Sequence, residues 1–322
     1  MFAIQVSKTG GPEVLAGAEL EDPQSGAGDV LVELAAAGVN FVDTYQRSGL
    51  YPMQLPYTAG LEGAGVVTAV GSDVEGLAPG DRVAWSSALG SYALKVRVPA
   101  ALAVRVPDAV DLEVAAAVML QGMTAHYLAV DTFVLEPGHR CLIHAGAGGV
   151  GLLLIQIAKL RGAEVFTTVG SEAKAELARG AGADHVILYR DEEFGAAVEA
   201  IGGPRPLHVV YDGVGAAVFD RSLELLAPRG MMVTFGNASG PVEPVRPLTL
   251  SQGGSLYLTR PTLAHYTATR AELERRAGDL FTWIAEGSLD VRIGHRVPLA
   301  DAAEAHRMLE GRATTGKVLL VP

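Results

Sequence analysis

A single cysteine, Cys141, stands among 322 residues. It excludes an intramolecular disulfide and a multi-cysteine zinc site, and nothing in the composition calls for an oxidising compartment. Aromatic residues make up only 6% and charged residues only 19%. Cations are the scarcer charge, with 25 Lys and Arg against 36 Asp and Glu, a net of −11. An acidic surface repels phosphate backbones and anionic lipids, so neither nucleic acid nor a membrane is an expected partner. Residues 1–8 lack a basic stretch leading into a long apolar core, so no signal peptide is expected. The most apolar stretch, 141–158, is interrupted by glycines, His144 and Gln156 and falls short of the ~20 apolar residues of a spanning helix. The expected setting is the cytoplasm.

What is abundant is apolar side chain, at 49%, and glycine, at 39 residues, well above the usual share of about 7%. No collagen-like period accompanies the glycine, so it must serve turns, caps and close backbone approach. Residues 1 to about 120 read as β-rich. Short apolar segments at 30–37, 63–70 and 82–85 are separated by Gly71-Ser72-Asp73 and Pro79-Gly80-Asp81, turn chemistry that suggests a small barrel or sandwich. Residues 111–130 suit buried helices. An alternation then begins: strands at 140–145, 164–169, 185–189, 207–212, 231–235 and 255–258, with helices at 150–160, 171–179, 192–200 and 216–226. Such alternation implies βαβ units and a parallel sheet covered on both faces, and six strands suit a doubly wound dinucleotide fold. After a charged helix at 269–286, the tail returns to a strand at 292–297, a helix at 302–309 and a last strand at 316–321. The fold class expected is α/β, with a barrel made by both ends of the sequence around an inserted Rossmann sheet.

The strongest local signal is the run from His144 to Gly151, in which Gly146, Gly148 and Gly151 satisfy G-x-G-x-x-G and Gly149 and Val150 lie between them. A strand precedes it, a helix follows, and the next strand begins near residue 164, the context such a motif needs. The first glycine permits the tight turn, the second lets backbone approach a pyrophosphate, and the third lets helix and strand pack closely. The helix N-terminus presents N–H groups and partial positive charge to the phosphates. An NAD site places an acid about 20 residues on. Here that position is Ser171, with Lys174 one helical turn beyond. A hydroxyl and an ammonium suit a 2′-phosphate, so NADPH is the expected cofactor. Glu172 is the residue that would favour NADH if it took the ribose.

The chain resembles the zinc-free quinone oxidoreductases, the zeta-crystallin-like branch of the medium-chain dehydrogenase/reductase superfamily. The resemblance runs through residues 37–45, 47–52, 60–65 and 121–125, the glycine turn, Phe235-Gly236-Asn237, 254–261 and 312–316. It implies a GroES-like β-barrel domain from residues 1–122 and 263–322, and a Rossmann NADPH-binding domain from 123–262 with a six-stranded sheet. The active site is expected in the cleft between them. The family's 2′-phosphate contacts carry over onto Ser171, Lys174, Tyr189 and Arg312. Asn40, Thr124 and the Phe235-Gly236 backbone resemble its nicotinamide and ribose contacts. Asn40, Tyr45 and Tyr51 are expected on the substrate side, with a tyrosine hydroxyl donating to a quinone oxygen.

The zinc alcohol dehydrogenases of the superfamily carry Cys and His ligands near the same motifs. This sequence has Asn40 at the first such position, Gly60-Leu61-Glu62 at the second and Leu120-Gln121 at the third, so no metal is expected. Glu62 is expected to hydrogen-bond within the barrel, and Cys141 to be a small buried hydrophobe. Oxidation of an alcohol needs help with the hydroxyl proton, whereas a quinone or conjugated enone is already electrophilic. The expected activity is NADPH-dependent quinone reduction by hydride or single-electron transfer. Reduction of an enone or alkene is the alternative, and a crystallin-like structural or RNA-binding role is the non-enzymatic one. The resemblance also implies a homodimer paired through the Rossmann edge strand, residues 255–258.

Overall fold

In the computed structural model, which describes residues 1–322, the chain divides into two compact units. One is Met1–Met123 with Tyr266–Pro322, the other Thr124–His265. The strands of the first unit alternate buried and exposed residues, as a sheet with one face on a core requires. β1 (Phe2–Val6) and β2 (Leu15–Glu19) pair antiparallel. β3 (Asp29–Val39) buries Val30, Val32 and Leu34. α1 (Phe41–Ser48) follows at once, started by the Asp43 carboxylate, which accepts from Asn40 N–H at 2.8 Å, and stopped by Gly49 at φ 87°. β4 (Tyr57–Thr58), β5 (Glu62–Val70), β6 (Arg82–Trp85), β7 (Lys95–Pro99) and β8 (Val104–Arg105) complete this stretch. In the core beneath them, Trp85 donates through Nε1 to Ser91 Oγ at 2.8 Å. α2 (Leu112–Tyr127) is rich in Ala, Val and Met and ends in a wide turn at Leu128–Thr132. The helical character of residues 111–130 is therefore one continuous helix plus that turn.

The second unit alternates strand and helix. β9 (Arg140–Ile143), α3 (Gly149–Leu160), β10 (Glu164–Val169), α4 (Glu172–Gly180), β11 (His185–Leu188), α5 (Phe194–Gly202), β12 (Leu207–Asp212), α6 (Phe219–Glu224), β13 (Leu226–Thr234), α7 (Pro247–Gln252) and β14 (Tyr257–Thr259) follow in order. The six strands are parallel, in the order β11-β10-β9-β12-β13-β14, the doubly wound pattern of a Rossmann sheet. Among the boundaries that shift from the sequence reading, two have a plain backbone cause. Ser255 sits at φ 57° in the turn after Gly254, a left-handed conformation no strand residue adopts, so β14 starts two residues later. Gly215 at φ 91° takes residues 215–218 into a turn, so α6 is shorter than expected. Cys141 lies fully buried on β9, and burial pushes its thiol up to about 12, which leaves it unreactive.

The chain returns to the first unit through α8 (Leu263–Tyr266), α9 (Arg270–Ala285), β15 (Ile293–Pro298), α10 (Ala302–Glu310) and β16 (Lys317–Val321). β16 lies antiparallel to β3 and parallel to β15, within the sheet β15-β16-β3-β5-β6-β8, with β7 on β3. No helix is long and apolar enough to cross a membrane.

Candidate active site

The glycine turn of the second unit is a backbone cradle. Ala145 takes φ 56°, and Gly148 precedes α3 with no side-chain cap, so the first turn of the helix presents its N–H groups outward. Two of its glycines answer to a close approach. A Cβ on Gly146 would lie 2.0 Å from Thr167 Oγ1, and one on Gly151 would lie 2.4 Å from Ala145 O and 2.8 Å from Gly146 Cα. Without a Cβ at these two positions, the turn packs directly on β10 and α3 packs directly on the turn. His144, just before the turn, is locked between Thr168 Oγ1 and Ser222 Oγ, both at 2.9 Å. Ser222 donates to Val218 O at 2.7 Å, so His144 must donate through Nε2 and accept at Nδ1.

The neighbouring strand ends carry the other expected cofactor residues. Ser171 is the N-cap residue of α4, Lys174 lies in its first turn, and Tyr189 follows β11, 40% exposed. Tyr189 reaches toward Gly170, where a Cβ would stand 2.6 Å from its hydroxyl. Glu172 is exposed and paired with Arg179 at 2.5 Å. Phe235 and Gly236 follow β13, and their loop is zipped to residues 213–215. A Cβ on Gly236 would meet Gly213 O at 2.3 Å, and Ser239 N–H donates to Val214 O at 2.7 Å. Sequence reasoning missed Arg260, whose Nη1 holds Gly236 O at 2.9 Å and Thr234 Oγ1 at 3.2 Å. These groups all lie at the carboxyl ends of adjacent parallel strands, where ligands bind in open α/β sheets. Thr124 sits buried on α2. Arg312 belongs to the other unit, in the turn after α10 at φ 57°.

In the first unit, Tyr45 and Tyr51 come together. Their rings meet edge to face at 5.3 Å, and Tyr51 N–H donates to Tyr45 O at 3.0 Å. Asn40 is placed differently from the expectation of a side chain touching ligand. It is 3% exposed, and protein meets every hydrogen-bonding position of its amide. Nδ2 donates to Glu62 Oε2 at 2.8 Å and to Gly38 O at 3.3 Å. Oδ1 accepts from Lys317 Nζ at 2.8 Å and Gln121 Nε2 at 3.1 Å. The carboxylate and the ammonium together fix which end of the amide is oxygen.

Glu62 also bonds Lys317 Nζ and accepts Leu120 N–H of α2 at 2.5 Å. Burial pulls the Lys317 ammonium down from its usual range, and Glu62 opposes the shift. Asp43, beside this network, is pushed up to about 7 by burial, against the hydrogen bonds from Asn40 N–H and the Tyr92 hydroxyl. No local pattern singles out Lys317, a lysine in a strand far along the chain from its partners.

Buried ionisable groups also set the response to acid. Burial takes His144, and burial with the Arg47 charge takes His306, from 6.5 down to about 3. Both are neutral when folded and gain protons on unfolding below their ordinary value. Their contribution to stability is whole above about pH 6.5 and is lost as the pH falls toward 3. Asp43 acts in the opposite sense, contributing below its ordinary 3.8 and losing that contribution as the pH rises through 7. Two groups outweigh one, a net of about one proton and about 1.4 kcal/mol per pH unit near pH 5. Urea midpoints are expected to be clearly lower at pH 5 than at pH 7, and equal midpoints would refute the assignment.

Comparison with known proteins places the two halves of this geometry in one class. The alcohol dehydrogenase GroES-like domain matches residues 26–108, and the zinc-binding dehydrogenase domain matches residues 149–282. Quinone oxidoreductase 1 of Escherichia coli is 46% identical over 323 residues, 99% of each chain. The structure of the Escherichia coli quinone oxidoreductase complexed with NADPH superposes with a TM-score of 0.98 at 44% identity, covering 100% of both chains. A mycobacterial protein complexed with NADPH gives 0.97 at 48% identity, again over 100% of both. The chain belongs to the quinone oxidoreductase family of the medium-chain dehydrogenase/reductase superfamily.

The name of the second matching domain raises the question of zinc, which takes three or four well-placed N, S or O ligands. At the three corresponding stretches this chain offers the Asn40 amide, the Leu61-Glu62 pair and Leu120-Gln121. The one carboxylate among them is already bonded to an ammonium. No three His, Cys, Asp or Glu side chains gather as a metal site would need. The donor set does not fit zinc.

Proposed function

We propose that this chain is an NADPH:quinone oxidoreductase that works without zinc. The observation carrying the reading is the uncapped N-terminus of α3 above a turn that admits no Cβ at Gly146 or Gly151, with Ser171, Lys174 and Tyr189 at the next strand ends. The α3 N–H groups and Gly146, Gly148, Gly149, Val150 and Gly151 hold the pyrophosphate. Ser171, Lys174 and Tyr189 take the 2′-phosphate, to which the family resemblance adds Arg312. Thr124 and the Phe235-Gly236 backbone, braced by Arg260, orient the nicotinamide and ribose. When bound, NADPH would supply the reducing equivalents, as hydride or as single electrons. A quinone accepts them without a Lewis acid, so the protein's task is confinement and orientation. Tyr45 and Tyr51 stand on the substrate side, one hydroxyl donating to a quinone oxygen; Tyr45 lies on α1, whose start is set by Asn40, and Tyr51 lies just past its end.

The reading is tested by following NADPH absorbance against a panel of quinones and conjugated enones. Turnover of quinones is expected, and oxidation by enones alone would make the chain an enone reductase. Lys174→Ala is expected to weaken NADPH by about tenfold, the size of a charge-assisted hydrogen bond, and to leave NADH unchanged. Equal loss for both nucleotides would remove Lys174 from the phosphate. β14 ends the Rossmann sheet with an unpaired edge, and Tyr257 on it is 57% exposed. That edge supports a homodimer joined there. The lone buried cysteine supports a cytoplasmic setting.

A further inference from the structure

The three stretches that replace the superfamily's zinc ligands converge on one buried group. Lys317 Nζ bonds Asn40 Oδ1 and Glu62 Oε2, and Gln121 shares the same Asn40 oxygen. Lys317 is 2% exposed and Glu62 0%. β16 and β5 flank β3, and opposite Gly38 they place Leu319, next but one to Lys317, and Glu62. Gly38 is what makes room. A Cβ there would stand 2.2 Å from Glu62 Oε2 and 2.7 Å from both Cε and Nζ of Lys317.

We propose that the Lys317 ammonium stands in the place of the metal as a built-in cation, and that Lys317 and Glu62 are positioning residues for quinone reduction. The proposal rests on the reading that Tyr45 and Tyr51 face the substrate. A metal ion would gather its ligands from three stretches of chain. Here one ammonium and one carboxylate gather the same stretches. Through Asn40 they fix the start of α1, which carries Tyr45. Through Leu120 N–H and Gln121 they fix α2 one turn before Thr124. Nothing is transferred to or from the pair. At the centre of the network the Asn40 amide has every hydrogen-bonding position met, and a buried polar group so satisfied is held in one geometry. The Asn40 amide, filled on both sides, can hand no hydrogen bond to a ligand and can only transmit position.

The test uses two variants that reach the pair differently. Glu62→Gln with Lys317→Met removes both charges, so neither is left buried alone. Gly38→Ala keeps both charges and forces the pair apart. Cooperative thermal melting confirms that each is folded. NADPH affinity is read by fluorescence titration, and kcat and KM are read with 1,4-benzoquinone. The expected result is an NADPH Kd within threefold of the unaltered protein and a kcat lowered at least tenfold, in whichever variants fold. A folded variant that turns over at the original kcat overturns the proposal, since the pair is then only structural. A fall in kcat matched by an equal weakening of NADPH also overturns it, since the effect then runs through the cofactor. Failure of the underlying reading shows elsewhere, as absence of quinone turnover in the unaltered protein.

Discussion

Lys317→Met is expected to lower folding stability by about 3–5 kcal/mol, the cost of leaving a buried charge without its partner. Glu62 would keep Asn40 Nδ2 and Leu120 N–H but would face the barrel interior with no counter-cation. Adding Glu62→Gln to the same protein is expected to restore most of the loss. A neutral amide still accepts from Leu120 N–H, and the methionine fills the space of the lysine stem. Replacing a buried pair by neutral groups of similar volume is often nearly neutral, because the desolvation of both ions is no longer required. The signature is a coupling energy of about 2 kcal/mol or more in a double-mutant cycle by urea unfolding. Additive losses would show that the two side chains do not depend on each other.

Gly151→Ala is expected to cost both cofactor and fold. Its Cβ would press on Ala145 O at 2.4 Å and on Gly146 Cα and O at 2.8 Å. All three are backbone atoms of the turn itself, so no side chain can swing aside. Overpacking of this kind costs about 1–3 kcal/mol. The displaced turn no longer matches the pyrophosphate, and NADPH is expected to weaken by about tenfold or more, at least 1.4 kcal/mol. Gly148→Ala is the control. There the nearest atom is Ala145 O at 3.2 Å, so a smaller change in melting temperature is expected. Equal effects at the two positions would show that close packing of helix on turn is not what Gly151 provides.

The contrast between the two sites shows what a sequence makes legible. The Rossmann unit was readable because its strands, buried on both faces, are apolar runs, and its turns carry their own chemistry in order. Glu193 caps α5 through Gly195 and Ala196 N–H, and the glycine turn sits between β9 and α3. The barrel was legible in its middle and last strands but not in its first. β1 and β2 are short and joined by a turn through Pro12–Val14, and their alternation is too brief to stand out. α1 is mostly polar and was visible only as part of a family motif, although the Asn40-to-Asp43 spacing is a capping signal. The Glu62–Lys317 pair was legible on one side only. Glu62 was expected to hydrogen-bond within the barrel, but nothing local marks Lys317 as its partner, and only the pairing of β3 with both β5 and β16 buries them together.

That pairing also sets an order of events during synthesis. Glu62 leaves the ribosome 255 residues before Lys317. At about 5–20 residues per second the interval is roughly 13–50 s. The unit Thr124–His265 is complete within that time and can fold as a continuous segment. The barrel around Glu62 cannot reach its final state until β16 arrives with the counter-charge, so the earlier-made part of the protein is the later to mature.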